Sequence, residues 1–398
     1  MALSGYVHPA WADVAGALSR QLPRRGAGGA AVCVYHRGHC VVDVWGGTRD
    51  REGRPWLEDT VAPSFSTTKG VLSTLLHVLL EQRGIDFDRP VVEFWPELAA
   101  GIKAEMTLRH VLCHQAGLYR MSDLTRTPRH MLDWEGMKAR LVAATPAHSP
   151  GQAHGYHALT YGWLAGGLAE IIGEQPLEAL LASELAGPLG LDGLYIGLPE
   201  AALSRRARLI HNDGIVLPVR VSERGLRATL RRWVHAGLCR AGIDFAEFRS
   251  ALTPFTEPFD WNADETVMAK IPAANGQFTA RSLARVYAML AERGVLDGVR
   301  LLTRERVDTI AQVQSWQRDR VLFLPMHWRL GYHRVFAPGR RVPMGFGHFG
   351  FGGSGAWADP ERRIALGLTL NSGVGTPMGD LRISRLNRVV LATVDRLR

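Results

Sequence analysis

The stretch SFSTTKGVLSTLLHVLLEQRG, residues 64–84, places a serine and a lysine three residues apart at the head of an apolar run. Its leucine and valine spacing predicts an amphipathic helix that begins near Ser66 and ends at Gly84. The serine and Lys69 then lie on one face of that helix. The chain has 47 basic residues, of which only four are lysines. Lysine, unlike arginine, can lose its proton near neutral pH when it is buried.

Catalysis and an ordinary helix start are both compatible with this tetrad. A serine hydroxyl becomes a nucleophile when a base removes its proton, and Lys69 can be that base if burial or the helix dipole lowers its pKa. The free backbone N–H groups of a helix start can also hold an oxyanion. The same spacing arises when Ser66 only caps the helix and Lys69 is solvated. The tetrad alone leaves both interpretations open.

The composition indicates a soluble globular protein. The 398 residues are 46% hydrophobic and 21% charged, which suits one large domain or two lobes. The net charge of +9 comes without a dense basic run, so we expect no nucleic-acid partner. No apolar run reaches the ~20 residues of a membrane span, and the N-terminus lacks the order of a secretory signal. We therefore expect a cytoplasmic protein with no membrane partner.

The cysteine and histidine patterns do not indicate a metal or cofactor site. The four cysteines lack paired spacing, although Cys33 and Cys40 could face each other across a hairpin. His148, His154 and His157 lie close together, and we interpret them as solvated imidazoles of a polar loop rather than as metal ligands. The sequence contains no HExxH, P-loop or Gly-x-Ser-x-Gly motif. We expect no metal and no cofactor.

Strand-like segments lie at both ends of the chain, and helices lie between them. Near the N-terminus, GAAVCVYHRGHCVVDVWGG (29–47) predicts a β-hairpin around Arg37-Gly38. Near the C-terminus come HWRLGYHRVF, GFGHFGF, GSGAWADPE and RIALGLTLN, and then a final helix. This order predicts an α/β fold in which the N- and C-terminal segments form one antiparallel sheet, flanked by helices, with an inserted, mostly helical domain.

The same order suggests two domains. We place the α/β domain at residues 1–75 and 276–398 and the mostly helical domain at 76–275, with the active site at their interface. Residues from about 200 to 275 have weak periodicity, which predicts short helices and long loops that line a substrate cleft.

Three further segments follow SFSTTKG (64–70) in an order that resembles a known superfamily. They are MTLRHVLCHQAGL (106–118), SPGQAHGYHALTYGWLAGGLAEIIG (149–173) and GFGHFGFGGSGAWADPERRIALGLTLN (345–371). Together they resemble the serine β-lactamase-like superfamily, which includes class C β-lactamases, penicillin-binding proteins and family VIII carboxylesterases. The resemblance covers most of the chain and implies that the Ser-x-x-Lys tetrad opens the central helix of that fold.

The resemblance also implies which residues carry the chemistry. Ser66 would be the nucleophile, and Lys69 and Tyr156 would be its general base and acid. The backbone N–H groups of Ser66 and Phe351 would form the oxyanion hole. Gly350 would keep the strand edge clear so that the substrate carbonyl can approach.

Two positions depart from the penicillin-recognising members of the superfamily. His348, in His348-Phe349-Gly350, replaces the lysine of Lys-Thr-Gly, and Ala158 replaces the asparagine of Tyr-x-Asn. Each loss should weaken recognition of a β-lactam by about 1–3 kcal/mol. Nearby aromatic residues such as Trp328 could line an acyl pocket, but such a run is more often core.

The resulting pattern resembles a family VIII carboxylesterase that acts on small, largely neutral esters. An acyltransferase, an amide or β-lactam hydrolase of the same fold, and a non-catalytic ligand-binding member remain as alternatives. The physiological ester, the acyl-chain length, the oligomeric state and the division of roles between Lys69 and Tyr156 do not follow from the sequence.

Overall fold

An antiparallel sheet joins the two ends of the chain in the computed structural model, which describes residues 2–23, 25–210, 244–252, 255, 257–373 and 381–397. Its strands are β1 (Ser4–Val7), β2 (Gly29–His36), β3 (His39–Gly47), β9 (His333–Arg334), β10 (Phe346–Phe349), β11 (Gly355–Asp359) and β12 (Ile364–Leu370). They lie in the order β1-β3-β2-β12-β11-β10-β9. Short strands elsewhere are β4 (Ala62–Pro63), β5 (Leu194–Tyr195), β6 (Gln277–Phe278), β7 (Val295–Leu296) and β8 (Val299–Arg300).

Helices cover the sheet and fill the middle of the chain. The α-helices of the described residues are α1 (Ala12–Gln21), α2 (Thr67–Gln82), α3 (Leu108–Leu112), α4 (Trp134–Ala143), α5 (Thr160–Gly173), α6 (Leu177–Leu181), α7 (Gly187–Leu189), α8 (Phe245–Leu252), α9 (Asp264–Met268), α10 (Ala280–Ala291), α11 (Arg304–Ala311) and α12 (Leu381–Arg396). Several single 3₁₀ turns and one π-helical turn, Ala182–Ala186, connect them.

The pairing of β12 with β2 brings the two ends of the chain together at the centre of the sheet. Leu368 lies opposite Val32, and Ile364 lies opposite His36. Every residue of β12 is buried, because helices cover both faces of the sheet. The predicted α/β fold, with one antiparallel sheet built from both termini and flanked by helices, is confirmed.

The two faces of the sheet bury separate sets of side chains. Apolar residues of α1 and α12, such as Leu18 and Leu386, pack with Val32 and Leu366 on one face. On the other face the sheet packs with residues of α10 and α2. The site described below lies on this second face, where α2 meets β10.

Helix α2 is more deeply buried than its predicted amphipathic pattern suggests, since every residue from Thr67 to Leu80 is buried. Gly70 allows the close approach to β10: a Cβ atom there would collide with the Tyr287 hydroxyl and lie 3.2 Å from Cβ of His348. On another side, the hydroxyl of Ser73 lies 2.6 Å from that of Tyr161 in α5. The helix is therefore central to the fold rather than a surface element.

Two details of the strand prediction were wrong. The edge strand β1 was not predicted, and it pairs with β3 through residues that are mostly exposed. The segment HWRLGYHRVF forms only the two-residue strand β9. The backbone there turns at His327 and Gly331, which both have positive φ, and Gly331 N–H donates to the carbonyl of Leu112. Bonding to α3 thus replaces pairing within the sheet.

The cysteine pair lies where the hairpin predicted it. The Sγ atoms of Cys33 on β2 and Cys40 on β3 are 4.0 Å apart, and both thiols are free.

None of the described helices combines the length and the apolar character that crossing a membrane requires. The division into domains at residues 75 and 276 remains a prediction.

Candidate active site

Ser66 stands immediately before α2, but its side chain does not cap the helix. Its Oγ accepts a 2.7 Å hydrogen bond from the hydroxyl of Tyr156 and lies 3.1 Å from Nζ of Lys69. The interpretation of Ser66 as a simple cap followed by a solvated lysine is therefore wrong. The structure brings together the three residues that the sequence singled out.

Lys69 is fully buried, with 0% of its surface exposed. Besides Ser66, its Nζ has two partners, the backbone carbonyls of Ala158 at 2.6 Å and Ala273 at 2.8 Å. No carboxylate of the described residues pairs with it, so no counter-ion favours the charged form. Burial lowers the pKa of Lys69 well below its usual range.

Three oxygen partners suit an ammonium group, and they also suit a neutral amine if the hydroxyl of Ser66 donates to it. An uncharged –NH₂ group has two N–H donors and one lone pair. The two carbonyls accept only, so they take the two N–H groups of Lys69. The lone pair is then left for the hydroxyl proton of Ser66. An amine in this state can accept a proton directly from the serine.

Tyr156 lies in the irregular segment between Gly151 and α5. Its ring stacks on Trp328, with centroids 5.7 Å apart, and makes an edge contact with His114 at 5.1 Å. Burial raises the pKa of Tyr156 above its usual value near 10. The phenol therefore keeps its proton near neutral pH and donates it to Oγ of Ser66.

Within the described part of the chain, no acceptor pairs with the backbone N–H groups of Ser66 and of Phe351, which lies two residues after β10. Ser354 bridges the two segments, because its hydroxyl donates to the carbonyl of Ser64 at 2.7 Å and lies 3.2 Å from the hydroxyl of Thr67. The predicted oxyanion donors thus lie in adjacent segments that a side-chain bond holds together.

Gly350 permits this approach. A Cβ atom at residue 350 would collide with the carbonyl oxygen of Ser64 and would lie 2.5 Å from the Ser354 hydroxyl. The ring of Phe351 also contacts that of Phe65, with centroids 5.9 Å apart. The end of β10 therefore packs directly on the start of α2.

His348 lies beside Tyr156 and is almost fully buried, with 1% of its surface exposed. The two rings stack with centroids 6.2 Å apart. Its Nδ1 bonds weakly to the carbonyl of Phe349 at 3.4 Å, and its Nε2 has no partner among the described residues. Burial lowers the pKa of His348 well below its usual range, so the ring is neutral near neutral pH.

A narrow pocket of about 10 Å³, enough for one water molecule, opens beside these two rings. Its walls are aromatic and apolar apart from the phenol and two imidazoles. They comprise Tyr156, Leu322, Met326, Trp328, His333, Phe336, His348 and Phe349. None of these side chains carries a permanent positive charge.

The three clustered histidines differ from their prediction. His148, His154 and His157 are buried, not solvated. Each is fixed by the backbone: Nδ1 of His154 bonds to the carbonyl of Cys113 at 2.8 Å, and Nε2 of His157 accepts from Leu118 N–H at 3.1 Å. The described residues contain no group of three ligands that could hold a metal ion.

Several residues of the site could not be found from the sequence. The carbonyls of Ala158 and Ala273 carry no side-chain signal, and Ala158 was noted only for the asparagine it replaces. Asp319, which bonds to the backbone of Tyr156, lies in an unpatterned segment. Trp328 belongs to the site through its stack on Tyr156. The predicted cleft lining at 200–275 lies partly outside the described residues, which omit 211–243.

Comparisons with known proteins agree with this geometry. A family model described as Beta-lactamase matches residues 11–390. The chain is 39% identical over 370 residues to the esterase/beta-lactamase LipL of Mycobacterium tuberculosis, an alignment that covers 92% of this chain and 82% of that protein.

Solved structures show the same similarity over nearly the whole chain. A family VIII carboxylesterase matches with a TM-score of 0.84 and 30% identity, covering 99% of this chain and 100% of that one. A penicillin-binding protein homolog from Caulobacter crescentus matches with a TM-score of 0.84 and 31% identity over the same shares. The chain therefore belongs to the beta-lactamase family and has the fold of its serine hydrolases.

Proposed function

We propose that this protein is a carboxylesterase that hydrolyses small, largely neutral esters through an acyl-enzyme on Ser66. One observation carries the proposal: Oγ of Ser66 lies between Nζ of Lys69 and the hydroxyl of Tyr156, at 3.1 and 2.7 Å, and the lysine is buried with no counter-ion among the described residues. A base and an acid thus contact the same nucleophile from two directions.

Acylation follows from the positions of the protons. Lys69 takes the hydroxyl proton of Ser66 while Oγ attacks the ester carbonyl carbon. The N–H groups of Ser66 and Phe351 stabilise the resulting oxyanion. As the C–O bond to the alcohol breaks, the leaving oxygen receives a proton from the phenol of Tyr156. Lys69 then passes the proton that it took from Ser66 to the phenol, so that both groups are again in their starting states.

Deacylation repeats these steps with water in place of the alcohol. Water loses a proton to the Lys69 and Tyr156 pair as it attacks the acyl carbonyl. Oγ of Ser66 then leaves and regains its proton, which releases the acid and restores the starting state. Since the two groups share one proton path, their roles form one coupled unit.

The charge of the residues beside the site supports the proposed substrate class. A neutral imidazole, His348, occupies the position where penicillin-recognising relatives have a lysine, and it cannot pair with a carboxylate as an ammonium group does. The side chains around it carry no permanent positive charge that would attract a carboxylate. These features support neutral esters over β-lactams, which carry a carboxylate.

The test is a chain-length series of p-nitrophenyl esters measured beside nitrocefin, on wild type and on Ser66→Ala. We expect ester hydrolysis and covalent labelling by a fluorophosphonate in wild type, and neither in the variant. We expect nitrocefin turnover to be slower than ester turnover. A wild-type protein that takes no label and hydrolyses no ester would instead support a non-catalytic binding role.

A second candidate function is β-lactam hydrolysis, which the name of the Mycobacterium tuberculosis relative favours. It is supported if nitrocefin turnover exceeds that of every ester in the series. Adding an alcohol acceptor and measuring the transfer product separates an acyltransferase from a hydrolase.

A further inference from the structure

A buried carboxylate outside the catalytic group holds the segment that carries Tyr156. Asp319 is fully buried, and within the described residues it forms no ion pair with lysine or arginine. Its Oδ1 accepts from the backbone N–H groups of Tyr156 at 3.2 Å, Val321 at 2.8 Å and Leu322 at 2.9 Å. Burying a carboxylate costs free energy unless such donors surround it. The carboxylate of Asp319 therefore holds the groups that donate to it in place.

The second carboxylate oxygen of Asp319 bonds to the residue on which the ring of Tyr156 stacks. Oδ2 accepts from the indole N–H of Trp328 at 3.0 Å. The Trp328 ring lies almost parallel to the ring of Tyr156, with an angle of 14° between their planes. One carboxylate therefore fixes both the backbone of Tyr156 and the aromatic surface on which its ring rests.

Tyr156 needs such an anchor because its own segment has no regular structure. Neither helix nor strand occurs from Gly151 to Leu159, and 163 residues separate Tyr156 from Asp319 along the chain. The phenol must nevertheless stay within 2.7 Å of Oγ of Ser66. A shift of about 1 Å at a reacting group can lower a rate by about 10²-fold.

We propose that Asp319 is a positioning residue that holds the Tyr156 phenol against Ser66 by bonding to the Tyr156 backbone and to the indole of Trp328. The inference rests on the proposed function, because it assigns Asp319 to the same reaction. The side chain of Asp319 bonds to Tyr156, Val321, Leu322 and Trp328 and not to Ser66.

The variant Asp319→Asn tests this with little change of shape. Its amide oxygen can still accept from the three backbone N–H groups, but its –NH₂ group then faces the indole N–H of Trp328, donor against donor. We expect kcat for a p-nitrophenyl ester to fall by about 10²-fold, with KM within about threefold of wild type. Trp328→Phe removes the opposing donor and keeps an aromatic ring, so the double variant should be more active than Asp319→Asn alone.

Asp359→Asn is the matched control. Asp359 is equally buried and accepts from the backbone N–H groups of Glu361 and Arg362, but it is the last residue of β11 and also pairs with the guanidinium of Arg362. It should lower stability and leave kcat within about twofold. The proposal is overturned if the folded Asp319→Asn variant keeps its kcat, if only KM changes, or if the double variant loses activity additively.

Fluorine NMR of protein labelled with 3-fluorotyrosine provides a readout that does not depend on activity. The chain has eight tyrosines, and Tyr156→Phe assigns the relevant signal. We expect that signal to shift or broaden in Asp319→Asn and to stay unchanged in Asp359→Asn. An unchanged signal in Asp319→Asn overturns the proposal. If wild type hydrolyses no ester, the proposed function fails, while this signal still decides whether Asp319 holds Tyr156.

Discussion

The hydroxyl of Tyr156 donates a 2.7 Å hydrogen bond to Oγ of Ser66, although 90 residues separate them in sequence. Burial raises the pKa of the phenol, which therefore keeps its proton near neutral pH, and in this bond Tyr156 donates and the serine accepts. The serine proton is then free to point at Lys69. The phenol and the amine thus contact Oγ of Ser66 from two sides.

Tyr156→Phe should remove this donor with little damage to the fold, since the ring can still stack on Trp328. We expect kcat/KM for p-nitrophenyl esters to fall by about 10²–10⁴-fold, and the free energy of unfolding to change by about 1 kcal/mol. Tyr161→Phe is the control, because its buried hydroxyl lies 2.6 Å from that of Ser73 rather than Ser66. Equal losses of activity in both variants would mean that Tyr156 has only a packing role.

Lys69→Arg should be inactive at every pH, since arginine stays protonated and cannot act as the base. In wild type, kcat/KM should fall as the pH falls through the lowered pKa of Lys69, because protonation consumes the lone pair. A pH–rate profile from pH 5 to 9 measures this acid limb. Measurable ester hydrolysis by folded Lys69→Arg at a tenth of the wild-type rate would contradict the assigned base.

Lys69 also makes the stability of the protein depend on pH. Its pKa is lowered in the folded state, so between that pKa and about 10.5 the unfolded chain binds one more proton than the folded one. Across this window the free energy of unfolding should therefore rise more steeply with pH in wild type than in Lys69→Met. The two slopes should differ by about 1.4 kcal/mol per pH unit. Urea unfolding at pH 7.5 and 9 measures the difference in slope. Equal slopes would show that the buried amine keeps its proton. The pH dependence of stability is compared and not its absolute value, because Lys69→Met also leaves the carbonyls of Ala158 and Ala273 without a donor.

Gly350→Ala should push the end of β10 away from Ser64 and separate the two oxyanion donors. We expect kcat to fall by about 10²–10³-fold and the free energy of unfolding to fall by about 1–3 kcal/mol. The comparison is Gly16→Ala in α1, where the nearest neighbour of an added Cβ is the flexible end of Arg20 at 3.3 Å. That variant should keep full activity and gain up to about 1 kcal/mol. Unchanged kcat in Gly350→Ala would exclude this oxyanion site.

His348→Lys should shift substrate preference by restoring an ammonium group at the position of the relatives' lysine. We expect the ratio of nitrocefin to p-nitrophenyl butyrate turnover to rise by roughly 5–30-fold, as 1–2 kcal/mol of new carboxylate binding implies. His348→Gln, which is polar and neutral, should leave the ratio within about twofold of wild type. Since both rates come from one preparation, any unfolded fraction cancels. A ratio that does not rise would mean that a lysine at residue 348 supplies no charged contact to the substrate carboxylate.

The sequence was sufficient to predict the elements that depend on the spacing of neighbouring residues. The hairpin around Arg37-Gly38 and the helix after Ser66 follow from residue spacing, and they are present in the structure. The order of strands at both ends was enough to predict one sheet. The short strand β9 was overestimated because bonding to α3, a contact distant in sequence, outweighs the strand propensity of that segment.

The environment of the catalytic group could not be predicted for a related reason. Burial lowers the pKa of Lys69, whose amine bonds to the carbonyls of Ala158 and Ala273, and backbone carbonyls leave no pattern in a sequence. The burial of the histidine cluster was missed because polar residues near a glycine turn are typical of surface loops. Asp319 has its effect through contacts that only the folded chain creates.

Direct titration of the Lys69 amine tests the central claim that this group is uncharged in the resting enzyme. The chain has only four lysines, so a protein labelled with ¹³C at lysine Cε gives four resolvable NMR signals, and Lys69→Arg assigns one of them. We expect the Lys69 signal to report a neutral amine at the pH of maximal ester hydrolysis, with a midpoint that matches the acid limb of kcat/KM. A Lys69 amine that stays protonated throughout the active pH range would contradict the proposed mechanism.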